Sequence, residues 1–225
     1  MSPPGGAAAA EVAAPLPDCA LCPRLAAFRE RHRAAFPGWH NAPVPSFGPL
    51  AARLLVLGLA PGLRGANRTG RPFTGDYAGA LLYPTLLRHG FAAGRYGADP
   101  ADGLRLVDCR IGNAVRCVPP ENKPETAEVA ACRPFLAAEL AAMPQLRIIL
   151  ALGLTAHAGA LAALGIVRAR HPFAHGALHE LPNGLILADS YHCSRYNTNT
   201  GRLTEAMFDA VVAAVRQRLG PAPSA

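Results

Sequence analysis

Four apolar runs rich in Leu, Ile and Val constrain this chain more than any other feature: RLLVLGLA at 53–60, LRLVDCRIGNAV at 104–115, LRIILALG at 146–153 and GLILADSYH at 184–192. Short, near-continuous runs of this kind read as strands buried on both faces. Helical patterns accompany them at 78–90, 125–142, 155–164 and 204–219. In the last, Phe208, Val211, Val212, Val215 and Leu219 make one apolar stripe behind Thr204, a residue type suited to an N-cap. Strands alternating with helices imply an α/β fold with a mainly parallel sheet covered on both sides, and such sheets bind ligands beyond the carboxyl ends of their strands. The loops after Ala60 and His192 are therefore where function is expected. With 51% of its 225 residues hydrophobic, the chain can bury one core of ordinary size. There is no internal repeat, so one domain is expected over 18–220. The small, Pro-rich stretch 1–17 reads as a disordered tail and 221–225 as a short C-terminal one.

That opening stretch lacks the basic start and unbroken apolar core of a secretory signal, and no apolar run approaches the ~20 residues of a membrane span. A cytoplasmic protein with no membrane partner is expected, its cysteines reduced or bound to metal. The net charge of +7 makes a polyanion a plausible partner without naming one.

The loop after the first strand, GLAPGLRGANRTGRPFTGD at 58–76, resembles a phosphate loop but fails the tests for one. No Gly-Lys-Ser/Thr ending is present to balance phosphate charge and hold magnesium. A dinucleotide fingerprint needs Gly-x-Gly-x-x-Gly, and Gly58-Leu-Ala-Pro61-Gly62, with its proline, does not supply it. What the loop does carry is Asn67, Arg68, Arg71, Phe73, Thr74 and Asp76 within ten residues beyond a strand end. Such a set can stack a flat ring on Phe73 while amides and a carboxylate do polar work.

Four of the six cysteines have ligand-like spacing: Cys19-x2-Cys22, then Cys117 and Cys132. A C-x2-C hook aims two thiolates at one ion or one cluster corner, and spacing alone leaves zinc and an iron–sulfur cluster equally open. Cys109 lies within a strand pattern and reads as a small core residue. Cys193 beside His192 does not read as a nucleophile pair, because neighbours on a strand point to opposite faces.

Taken together, GLAPG after a strand, RPFTGD downstream, IGNAVRC at 111–117 and HCSRYNTNTGRLT at 192–204 resemble the iron–sulfur uracil-DNA glycosylases called family 5. The resemblance runs from Cys19 to the last helix. It implies a three-layer α/β/α sandwich around a four-stranded parallel sheet, and excision of uracil and related deaminated bases from double-stranded DNA by a monomeric enzyme of the cytoplasm, associated with the nucleoid. It implies that Cys19, Cys22, Cys117 and Cys132 hold a four-iron four-sulfur cluster. It also implies a base pocket formed by Ala60, Gly62, Phe73 and Asn113, with Asp76 and His192 as the catalytic pair. Where most of the superfamily has a polar residue inside the first motif, this chain has Leu59 and Ala60, as family 5 does, and the resemblance implies that Asp76 positions the water and His192 donates to the departing base. Arg195, Tyr196, Asn197 and Arg202 mix basic and aromatic character in the loop after His192, which suits a wedge that holds a base out of the duplex. The competing reading is a non-catalytic iron–sulfur protein that binds or senses DNA. Dependence on Asp76 separates the two. His171, His175 and His179 are spaced by four, but Pro172 and Gly176 rule out a helical metal site and point to a surface hairpin or loop.

Overall fold

The computed structural model describes residues 14–221, so residues 1–13 of the expected N-terminal tail and 222–225 of the C-terminal one lie outside it. In chain order the elements are α1 (Pro23–Ala35), β1 (Leu54–Gly58), α2 (Ala66–Thr69), α3 (Tyr77–Arg88), β2 (Ala92–Ala93), β3 (Arg105–Leu106), β4 (Cys109–Asn113), α4 (Thr126–Ala141), β5 (Ile148–Leu152), α5 (Leu154–Ala163), β6 (Leu178–Glu180), β7 (Ile186–Ser190), α6 (Arg195–Asn199) and α7 (Glu205–Leu219). The main sheet has the order β4-β1-β5-β7-β6. Its first four strands are the four expected from the apolar runs, and all pair in parallel.

Period-2 alternation sorts each strand between two cores. Leu54, Val56, Ile148 and Leu150 point into a core with Leu82, Tyr83 and Leu86 of α3 and Phe208, Val212 and Val215 of α7. Leu55, Leu57, Ile149 and Ala151 point the other way, against Leu136 and Leu140 of α4 and Ala156, Ala160 and Leu161 of α5. Both faces of the sheet are covered, which gives the three layers. The α7 stripe is buried as its spacing demands, and the Thr204 hydroxyl caps the helix by accepting from the Met207 amide at 3.1 Å.

Three details differ from the sequence reading. The run at 104–115 is not one strand: Asp108 takes a positive φ of 52° and separates β3 from β4. Its carboxylate is held there by the Arg53 amide and guanidinium at 2.6–2.9 Å, contacts made 55 residues away in sequence. A fifth strand, β6, adds antiparallel to β7 at the sheet's end. The histidines do avoid a helix, but His179 on β6 turns inward, and its Nε2 lies 3.0 Å from the fully buried Asp189 carboxylate, whose other oxygen meets His157 Nδ1 at 2.7 Å. This edge is thus pinned from inside by a buried carboxylate. At the opposite edge, Phe47 forms an antiparallel bridge to Ile111 of β4, exchanging both backbone hydrogen bonds at 2.8–2.9 Å. No helix among the described residues is long and apolar enough to cross a membrane.

Candidate active site and cysteine centre

A pocket of about 230 Å³ opens at the carboxyl ends of the parallel strands. Ala60 and Gly62 enter it from the loop after β1, Asn113 from the last position of β4, and His192 from just beyond β7; Phe73, Asp76 and Arg195 also line it. Elements distant in sequence converge here because parallel strands place all their C-terminal loops on one rim.

The glycines of the first loop make room for side chains, not for phosphate. A Cβ on Gly58 would stand 2.4 Å from Asn113 Oδ1 and 2.5 Å from Phe73 Cζ, and one on Gly65 only 2.5 Å from Asp76 Oδ2. Glycine at these positions lets the aromatic ring, the amide and the carboxylate close around one space. Phe73 itself sits at φ 53°, a strained conformation for an aromatic residue, and its surroundings hold it there. Tyr83 donates its hydroxyl proton to the Pro72 carbonyl at 2.6 Å, and Tyr96 donates to the Phe73 carbonyl at 3.3 Å. Arg71 braces Thr74 and forms a buried bidentate pair with Asp102 at 2.7 and 2.9 Å, which keeps that carboxyl well below the usual carboxylate range.

Asp76 serves two purposes. As N-cap of α3 it accepts from the Gly79 amide at 3.2 Å, and as a pocket residue it presents its remaining capacity to the cavity. Burial pushes its pKa up, opposed by the Gly79 and Ala78 amides. Asn113 is 3% exposed, and its Oδ1 has no partner. A buried amide oxygen without a donor costs free energy, and Asn113 is among the residues that line the pocket. The His192 ring lies 6.1 Å from the Phe73 ring, centroid to centroid.

Burial depresses the His192 pKa from 6.5 to about 4, so the ring is neutral at physiological pH and offers one N–H donor. The sign of the linkage follows. Between about pH 6.5 and pH 4 the unfolded chain carries a proton on this ring that the folded chain refuses, so stability falls as pH drops through that window. In urea titrations across it, the wild type is expected to lose stability more steeply than His192→Gln. Equal slopes would show that the ring is not held neutral.

The wedge candidates separate. Arg195 reaches the pocket and stacks over Tyr77 at 5.3 Å, and Tyr196 projects from α6 at 71% exposure. Asn197 instead donates to the His192 carbonyl at 2.8 Å, and Arg202 stacks on Tyr191 at 4.6 Å; neither lines the pocket. Both hold the backbone that carries His192. Tyr77 and Asn122 are pocket residues that escape sequence reasoning; Asn122, in a short 3-10 turn at Pro120–Asn122 with a positive φ of 57°, stands exposed at the rim. It lies between Cys117 and Cys132, so one segment serves both centres.

The four spaced cysteines line a second hollow, with Leu25 and Val115 as its buried apolar wall. Burial pushes the Cys117 thiol up to about 11, opposed chiefly by the Arg29 charge, and burial also raises Cys22 and Cys132. Such thiols ionise when a metal displaces their protons. Among the described residues, the only three His, Cys, Asp or Glu ligand atoms within 4.8 Å of one another belong to His157, His179 and Asp189. No three of the four cysteine sulfurs lie within 4.8 Å of one another.

The chain belongs to the uracil DNA glycosylase superfamily, whose family model matches residues 45–216. Within it, the chain is 47% identical over 210 residues to a type-5 uracil-DNA glycosylase of Thermus thermophilus, covering 91% of this chain and 95% of that one. Type-5 enzymes of Mycobacterium bovis and Pyrobaculum aerophilum are 42% and 40% identical, covering 96% and 84% of this chain and 84% of each relative. These relatives place it in the type-5 branch.

Proposed function

We propose that this protein hydrolyses the N-glycosidic bond of uracil in DNA and leaves an abasic site, acting through water and without a covalent amine intermediate. The observation that carries this is the buried, unpartnered Asn113 Oδ1 beside the Phe73 ring. A base turned out of the duplex stacks on Phe73 and donates its N3–H to that oxygen. Cytosine presents a bare ring nitrogen at the same position, leaving two acceptors face to face and the amide unsatisfied. As the bond lengthens, negative charge gathers on the base and positive charge on the sugar. Neutral His192 donates to the base oxygen, while Asp76 stabilises the sugar and orients water toward it. Arg195 and Tyr196 fill the gap the base leaves. Action as a monomer on double-stranded DNA, in the cytoplasm at the nucleoid, belongs to the same proposal. The alternative of a non-catalytic sensor is not favoured, since the relatives named glycosylases align over most of the chain.

Cys19, Cys22, Cys117 and Cys132 are proposed to hold a four-iron four-sulfur cluster, a reading supported by the one hollow that all four line and by the similarity to the type-5 relatives. Bound there, it serves as a structural fastening; bond cleavage belongs to Asp76 and His192.

Single-turnover assays on U·G, U·A, hypoxanthine·T and xanthine·C duplexes test the activity. Hypoxanthine and xanthine share uracil's adjacent N–H and C=O, and mismatched bases cost up to a few kcal/mol less to extrude. Abasic sites are expected from both uracil duplexes and from at least one deaminated purine. Excision from uracil duplexes alone would mean the pocket excludes purines, and no excision from any would overturn the function.

A further inference from the structure

We infer that Arg29 is the counter-ion of the group held by the four cysteines, a role that rests on the cluster reading above. Arg29 lies on α1, only 3% exposed, behind the cysteines that line the hollow. Its Nη1 stands 3.8 Å from Cys117 Sγ, and its Nη2 donates to the Cys19 carbonyl at 3.1 Å. One guanidinium therefore bridges the N-terminal hook and the ligand that follows β4, nearly a hundred residues later. Its Nε is buried and makes no hydrogen bond.

The charge balance singles this arginine out. Arg24 on the same helix pairs with Glu128 at 2.7 Å, and Arg116 beside the hollow pairs with buried Glu139. For Arg29, the nearest carboxylate among the described residues is Glu30, 3.6 Å from Nε, exposed and already shared with Arg33 at 2.9 Å. An exposed, shared carboxylate screened by water does little to offset a buried guanidinium. Four thiolates around an iron–sulfur core carry net negative charge, and that charge lies on the side of Arg29 where Cys117 stands. The arginine and the cluster thus neutralise each other in a hollow that would disfavour either alone. A cation at this place resists loss of the cluster and favours its more reduced, more negative state. Hydrogen bonds to the cysteine sulfurs and nearby charge are two of the protein's controls on such potentials.

Iron and sulfide analysis of the wild-type full-length protein comes first; stoichiometric zinc without iron would refute the cluster reading itself and leave the chemistry of the base pocket untouched. With iron present, Arg29→Gln and Arg29→Lys are compared by the rate at which a ferrous chelator bleaches the cluster absorbance, and by the cluster's midpoint potential on an electrode. Arg29→Gln is expected to lose iron roughly tenfold faster, the scale of one hydrogen bond to a charged group, and to shift to lower potential. Arg29→Lys, keeping the charge, is expected to recover most of both. Wild-type rates and potential in Arg29→Gln would overturn the inference, and so would equal loss of the cluster in both variants, since retained charge would then have made no difference.

Discussion

Asp76→Asn is expected to lower the single-turnover excision rate by about 10²–10³-fold, the scale seen when one group aimed at developing charge is removed, while affinity for uracil-containing DNA stays unchanged. The substitution is selective because Asp76 has two functions that chemistry can separate. An asparagine oxygen still accepts from the Gly79 amide, and Asn caps helices as well as Asp does, so α3 keeps its start. What disappears is the negative charge facing the sugar. Uncleaved uracil duplex binds before that charge is needed, so the loss falls on the rate and not on binding. A variant with wild-type rates would take Asp76 out of the mechanism. A variant that lost both rate and binding would assign it to the pocket's architecture.

The second large effect concerns the cysteine centre. Cys117→Ala is expected to abolish the iron content, about four atoms per chain in the wild type, and to lower stability by roughly 2–5 kcal/mol, the scale of deleting a native crosslink. The segment it fastens is α1, which packs outside the central sheet and shares the small cluster of Leu25, Val115 and Cys132. Arg24 contacts to Glu128 and the Lys123 carbonyl hold the same helix less strongly, because they are partly exposed. The folded fraction of Cys117→Ala should still cleave at saturating DNA, since Asp76, His192 and Asn113 belong to the sheet's rim. Unchanged iron content would remove Cys117 from the ligand set. Full stability without iron would remove the fastening role.

How much of this was legible beforehand depended on where the determining forces lie. The four parallel strands were readable because burial on both faces writes itself as an uninterrupted apolar run. β6 was not, since Leu178, His179 and Glu180 contain no such run and become a strand only by pairing with β7. The break at Asp108 was equally hidden, being imposed by an arginine 55 residues away. Within the site, Phe73, Asp76, Asn113 and His192 were reachable through the quoted motifs, and all four line one pocket. The supports were invisible: Tyr83, Tyr96 and the Arg71–Asp102 pair act through the fold's geometry, and Asn122 reaches the rim on a turn with no local signal. Asn197 and Arg202, expected from the sequence to touch DNA, also contact the His192 carbonyl and the Tyr191 ring, which no local pattern announces.

The two ends of the main sheet bear on how such a protein survives on its substrate. A basic protein gathers along a polyanion, where neighbouring copies sit at high local concentration and any open strand edge is a template for pairing between molecules. Here the β4 edge is occupied by the Phe47 bridge, and the other edge is a three-residue strand ending in the exposed Glu180. Neither leaves a long row of free amides and carbonyls. Crowding on DNA can therefore raise the density of this protein without offering its sheet a partner for aggregation.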